Sequence, residues 1–312
     1  MRNAFSEALY TLAESHDEVV LLYGDIGNKL FDNFKNSFPG RAINCGVAES
    51  NMVSVAAGLA SQGFRPFVYT INSFLYLKAL EQIKIDVCYT QLPVVFVGTG
   101  AALSYSALGT THHSLEDVGV LRNLPNLQIF APNSPDELPN LLTFVHLQAK
   151  PSYIRIGKKG ELCLPFYDSV KSSQDFYGFQ RRNKIESSIG IVLSYGTISR
   201  VVTDSLEHLE RRGQFLDHFT ITQIKDLDFE MLTKILCKQS KVIVVEEHFS
   251  NGGLLDAIYK FKEIGKFTFD IHGINVGIDF FVGLGELESA RTKIGLDEKS
   301  ISQEIQTFLG RY

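Results

Sequence analysis

A chain of 312 residues, 45% hydrophobic and 21% charged, has room for two α/β domains and the composition of an ordinary globular protein. A net charge of −5, with no basic block denser than Arg181–Lys184, argues against a nucleic-acid surface. No apolar run approaches the roughly 20 residues a membrane span needs, and the opening MRNAFSEAL lacks an apolar signal core, so a cytoplasmic protein is expected.

Residues 4–15 carry Ala4, Phe5, Ala8, Leu9 and Leu12 at helical spacing, which predicts an amphipathic helix. EVVLLY at 18–23 is a continuous apolar run ending in Gly-Asp, the mark of a buried parallel strand. A short apolar run (Ala42, Ile43) leads through Gly46 to Glu49, followed by an Ala/Gly-rich helix to about Ser61. Next come a strand at 65–70, a helix at 73–89 and a buried strand at 93–98. A Gly/Ser/Thr-rich loop at 99–113 precedes a helix at 115–121, a strand at 127–131, a helix at 135–148 and a strand at 152–156. Strands separated by helical patterns imply a doubly wound parallel sheet.

Composition turns polar and weakly periodic between about Gly157 and Glu186. The expected division is therefore a first domain at 1–165, a linker at 166–186 and a second domain at 187–312. The second half repeats the pattern, with strands at 188–194, 215–221, 241–245 and 267–271. Helices are expected at 199–212, 229–237, beginning in NGGLLDAIYKF (251–261), and at 300–309. Cys45, Cys88, Cys163 and Cys237 are widely separated and read as reduced thiols, neither zinc ligands nor disulfides.

In open parallel sheets ligands bind at the carboxyl ends of strands. Glu49 falls at such a junction, heading a helix whose Ala56, Ala57, Gly58 and Ala60 let another group pack closely. Phe74, the Thr110-Thr111-His112-His113 run and Arg155 follow later strands on the same edge. Taken singly, each has a plain reading: a helix-start carboxylate, a core Phe among 23, a loop histidine, a strand-end arginine. Together they place a carboxylate, an aromatic ring, imidazoles and a guanidinium on one rim.

The order GVAESNMVSVAAGLA (46–60), SFLYLKALEQI (73–83), LGTTHHSLEDVGVLRNLPNLQIFAPNSPDE (108–137) and PSYIRIGK (151–158) resembles the transketolase family. VIVVEEHFSNGGLLDAI (242–258) and KIGLDEKSISQEI (293–305) resemble that family's C-terminal domain, so the likeness covers nearly the whole chain. More closely, the pattern resembles the separately encoded C-terminal subunit of split transketolases. The resemblance implies a pyrimidine-binding domain for thiamine diphosphate followed by a transketolase C-terminal domain, each a mainly parallel sheet flanked by helices. It assigns Glu49 to N1′ of the cofactor's aminopyrimidine, where a carboxylate favours the tautomer that takes the C2 proton. Phe74 matches the aromatic that stacks on the pyrimidine, and His112 the T-H-Q histidine that meets substrate. Arg155 matches an arginine that grips sugar phosphate, and Arg2 a second one.

Two departures bear on the substrate. Leu108 replaces the acidic residue that meets a sugar hydroxyl, and Gly100 replaces a histidine of the phosphate region. A differently decorated or more deoxygenated sugar than a pentose phosphate is expected, as in specialised sugar biosynthesis. The G-D-G…N motif that holds the diphosphate and Mg2+ in this superfamily is missing; Gly24-Asp25-Ile26-Gly27-Asn28 lies in the wrong half. No metal ligand is expected from this chain. An N-terminal companion subunit carrying that motif is implied, in an α2β2 arrangement. The alternatives are a β-like subunit of a 2-oxo acid dehydrogenase E1 and a non-catalytic stabilising partner. The EEH-x4-GG element at 246–253 is expected to shape domain packing.

Overall fold

Six strands of the first half align in parallel in the computed structural model, which describes residues 1–27, 29–164, 168–170, 179–182, 185 and 188–310. They are β1 (Val19–Tyr23), β2 (Ala42–Asn44), β3 (Arg65–Ile71), β4 (Val95–Thr99), β5 (Gln128–Phe130) and β6 (Ser152–Ile156), in the order β2-β1-β3-β4-β6-β5. Both faces are covered, which is why β1 and β4 are apolar without alternation. Val20, Leu22, Val68 and Phe96 pack on the Glu49–Ser61 helix side, among Met52, Val53, Ala56, Ala57 and Ala60. Val19, Leu21, Phe67, Tyr69, Val95 and Val97 face the opposite layer, where the Arg2–Ser15 and Leu138–Gln148 helices lie. Successive side chains on a strand point to opposite faces, so the two layers interleave residue by residue.

The second sheet is built from β7 (Asp168–Val170), β8 (Phe179–Arg181), β9 (Ile191–Ser194), β10 (Asp217–Ile221), β11 (Lys241–Val245) and β12 (Asp270–Ile274). Its order is β12-β11-β9-β10-β8-β7; β9 to β12 are mutually parallel, and β7 and β8 add antiparallel strands at one edge. The expected two-sheet α/β architecture is thus present. Within the expected linker at 166–186, the described residues include β7 and β8, which belong to the second sheet. The remaining residues of that stretch, other than 182 and 185, lie outside the described set. Short edge strands can be polar on both faces, so they leave no periodic signal.

Other differences are local. The helix expected at 73–89 is three pieces, Asn72–Lys78, Leu80–Gln82 and a π-helical turn Ile83–Tyr89. The strand expected at 267–271 begins three residues later, at Asp270. Phe267 instead folds back on the preceding helix, its ring stacked 4.8 Å from Phe261 beyond a left-handed Lys266. Helices Asp32–Ser37 and Leu287–Lys293 had no sequence signal.

The two halves share a core. Ile129 and Ala131 of the first half join Leu193, Ile221 and Ile224 of the second. The Ala131 amide donates to Thr222 O (2.7 Å), and the Ile224 amide to Ile129 O (2.9 Å). A buried pair, Arg182 and Glu137 at 3.0 Å, bridges the same seam. The EEH-x4-GG element ties further segments together. Glu246 accepts from the Leu254 and Leu255 amides at 2.7 and 3.1 Å, Glu247 pairs with Arg291, and His248 Nε2 accepts from the Gly119 amide of the first half at 3.1 Å.

His218 on β10 is enclosed, with Nε2 2.8 Å from Ser194 Oγ. Burial, reinforced by the Arg182 cation, lowers its pKa to about 3. The unfolded chain takes this proton near the ordinary histidine value, so acid favours unfolding. Stability is full above that value and falls as pH drops toward 3. Urea denaturation should show wild type losing about 2 kcal/mol more than His218→Gln between pH 8 and pH 5.

Candidate active site

The carboxyl ends of β2, β3, β4 and β6 form one rim. Glu49 opens the Glu49–Ser61 helix just after β2, and its carboxylate is almost fully buried. Its companion is Lys78, whose Nζ donates to Glu49 Oε2 at 3.2 Å. The same ammonium lies 4.7 Å from the centre of the Phe74 ring. Lys78 and Phe74 are four residues apart on one helix and so share a face. The Phe74 ring meets His112 edge-on at 5.0 Å, and His112 in turn lies 6.0 Å from Tyr105. Glu49, Phe74 and His112, expected from sequence, are therefore brought together; Lys78 and Tyr105 were not anticipated.

His112 Nδ1 sits 2.9 Å from Thr111 Oγ1, which fixes the ring and leaves Nε2 for a ligand. Burial pushes its pKa below the ordinary histidine value, so the imidazole is neutral at pH 7. It can accept or donate a proton there, depending on tautomer.

Gly100 explains Tyr105. A Cβ at residue 100 would fall 2.0 Å from the Tyr105 ring, and its φ of +86° suits glycine. Tyr105 thus fills the space that a side chain on residue 100 would use, and Lys158 Nζ lies 4.8 Å from its ring centre. Leu108 is half exposed at the turn preceding His112. Arg2 lies close to the Tyr69 hydroxyl, with its own Nε buried and unpartnered.

Arg155 departs from expectation. Its guanidinium is only 3% exposed, with Nε 3.0 Å from Asp117 Oδ2, and Nη2 donates to Ser114 O at 3.3 Å. Asp117 Oδ2 also accepts from Asn72 Nδ2 (2.8 Å) and Tyr153 Oη (2.6 Å). The guanidinium is thus enclosed and paired with Asp117, and it borders a small cavity together with Ala101, Tyr195 and Glu247. What it does is tie β6 to the loop ahead of the Asp117–Leu121 helix, directly beneath the rim. Asn72, which hydrogen-bonds Tyr153 as well, starts the helix that carries Phe74. Gly98 is required beside it, because a Cβ there would fall 2.0 Å from Asn72 Oδ1.

A cavity of about 860 Å³ lies elsewhere, bordered by Thr197, Arg200, Asp204 and Arg291, and it includes none of Glu49, Phe74 or His112. Its size does not make it the reactive centre; the perturbed histidine and buried carboxylate are on the rim.

A buried carboxylate, a flat aromatic face and a neutral imidazole on the carboxyl rim of a parallel sheet suit an α/β enzyme that binds a nitrogenous heteroaromatic ring and moves protons on it. The chain belongs to the transketolase family: residues 1–160 match the family described as transketolase, pyrimidine binding domain. It is 33% identical over 272 residues to one of the separately named subunits of apulose-4-phosphate transketolase from Actinobacillus succinogenes, covering 86% of this chain and 85% of that one. The namesake chain of Phocaeicola vulgatus is 29% identical, covering 81% and 80%. Against 1-deoxy-D-xylulose-5-phosphate synthase 2 of Geobacter sulfurreducens, at 28% identity, 98% of this chain covers only 49% of the relative. Among solved structures, a split gene transketolase described as an inactive beta4 tetramer superposes with a TM-score of 0.83 at 26% identity, covering 99% of this chain and 97% of that one. The chain is a separately encoded subunit of this family, of the thiamine-diphosphate-dependent transferase type.

The ion pair beneath the rim yields a test. Asp117→Ala strands the Arg155 cation in the interior and should cost about 3–5 kcal/mol in urea denaturation. The double variant Asp117→Leu/Arg155→Met should recover much of that loss. A stable Arg155→Met protein whose only defect is a raised KM for a phosphorylated sugar would contradict the structural assignment.

Proposed function

We propose that this chain is the C-terminal subunit of a split transketolase that moves a two-carbon ketol unit between sugar or sugar-phosphate substrates. The observation that carries this reading is Lys78. Its ammonium bridges the buried Glu49 carboxylate and the Phe74 ring face, the two groups a protonatable aminopyrimidine would use. A nitrogen cation seated on both supports a donor set suited to such a ring. Lys78 is half exposed and can swing into solvent to make way.

Thiamine diphosphate, when bound, supplies the electron sink for breaking and making the carbon–carbon bond. Glu49 would hold the ring nitrogen and Phe74 would stack on the ring. Burial of Glu49 strengthens its hydrogen bond by excluding water. His112, neutral and oriented by Thr111, would exchange protons with the oxygens of donor and acceptor. The diphosphate and Mg2+ are assigned to a companion chain in an α2β2 assembly. Support comes from the two relatives that are themselves named as single subunits, whose lengths this chain nearly spans, and from its half-length match to the synthase.

The substrate's far end would meet Lys158, beside Tyr105, and Arg2, close to Tyr69, with Arg155 paired to Asp117. Both side chains offer cations suited to a phosphate. Leu108 offers no acceptor for a sugar hydroxyl, which favours a sugar decorated differently from the common pentose phosphates. The two relatives are named for apulose-4-phosphate; at 33% and 29% identity the same sugar is one candidate among several.

In the complex reconstituted with its companion, Glu49→Ala should lower kcat by roughly 10²–10⁴-fold while assembly persists. Turnover unchanged by that substitution would instead support a purely stabilising subunit. Leu108→Asp should raise kcat/KM for an ordinary ketose phosphate by about tenfold or more, and equal rates in the two proteins would remove Leu108 from specificity.

A further inference from the structure

The opposite, amino end of the first sheet carries a second cluster that the proposed reaction does not use. His16 follows the Arg2–Ser15 helix, Glu18 leads into β1, and His146 lies on the Leu138–Gln148 helix. One ligand atom from each lies within 4.8 Å of the other two. His16 Nδ1 is 3.5 Å from Glu18 Oε1, and His146 Nε2 is 3.3 Å from that same oxygen. The two imidazole centres are 4.2 Å apart.

These separations are informative. A good hydrogen bond to a carboxylate would be about 2.7–2.9 Å, shorter than both. Donors bound to one zinc ion at about 2.0–2.1 Å in a tetrahedron stand about 3.4 Å apart. Two of the three edges already have that length, and His16, partly exposed beyond the helix end, can close the third by turning its ring. Two imidazoles and one carboxylate form a borderline donor set that suits Zn2+ better than Mg2+ or Ca2+. The partial exposure of His16 and Glu18 leaves the fourth corner to water.

We infer that His16, Glu18 and His146 form a Zn2+-class binding site clamping the first helix, the start of β1 and the Leu138–Gln148 helix. Two features limit its strength. Arg65 brings a positive charge near Glu18 and His146, and His146 Nδ1 is buried with no hydrogen-bond partner to orient the ring. Micromolar rather than nanomolar affinity follows. The site lies at the far end of the sheet from Glu49, so occupancy should alter stability and not the reaction.

Isothermal titration of the purified full chain with ZnCl2 tests this, with Co2+ spectroscopy alongside. One equivalent should bind, raising Tm by about 2 °C at a tenfold excess over Kd. Co2+ should give a tetrahedral visible spectrum without thiolate charge transfer. His16→Ala and Glu18→Gln, both at partly exposed positions, should each weaken binding at least tenfold and abolish the Tm shift. The inference is overturned if wild type binds no stoichiometric zinc. It is equally overturned if both variants bind as wild type does while Cys163→Ser/Cys237→Ser, which removes the exposed thiols, does not.

Discussion

The rim of the first sheet rests on one buried carboxylate. Asp117 has no exposure, and a single oxygen of it gathers Asn72, Tyr153 and Arg155. Those three residues come from the helix after β3 and from β6, and Ser114, which accepts from both Asn72 and Arg155, comes from the loop after β4. A charge kept in the interior must be paired and hydrogen-bonded, because an unpaired one costs several kcal/mol. That requirement fixes the relative positions of the segments carrying Phe74 and His112. The preorganisation of the site is thus a by-product of satisfying a buried ion pair.

Above that layer the site is half of something. The Glu49 carboxylate and the Phe74 ring face are held together by a lysine that belongs to neither role. Tyr105 has closed the space over Gly100, and Leu108 has made the approach to His112 less polar. Both positions lie apart from the Glu49–Lys78–Phe74 group, so under the proposed function the groups that hold the ring and those that select the sugar are different residues.

Much of this was legible in the sequence, for identifiable reasons. Strands buried on both faces tend to be apolar runs, so β1, β4 and β11 stood out, and a carboxylate before an Ala-rich helix marked Glu49. The site rim follows from the switch-point rule once the alternation is seen, whereas the strand order β2-β1-β3-β4-β6-β5 came only from the structure. The burial of Arg155 against Asp117 was not legible, because position at a strand end does not say which way a side chain turns. Its partner, Asp117, gave no local sign. Lys78 could have been found from its i+4 spacing to Phe74. The strands β7 and β8 could not, being short, polar and at an edge. The His16–Glu18–His146 cluster joins residues far apart in the chain, a proximity only the packing of two helices creates.

The central claim is that this chain supplies the pyrimidine half of a cofactor site and depends on another chain for the charged end. Equilibrium binding of thiamine diphosphate with Mg2+ tests it most directly, comparing the isolated chain with the chain reconstituted with a companion bearing the G-D-G…N motif. No measurable binding by the isolated chain at micromolar cofactor, and saturable binding by the complex, are expected. Saturable, Mg2+-dependent binding by the isolated chain at the same affinity would contradict that claim.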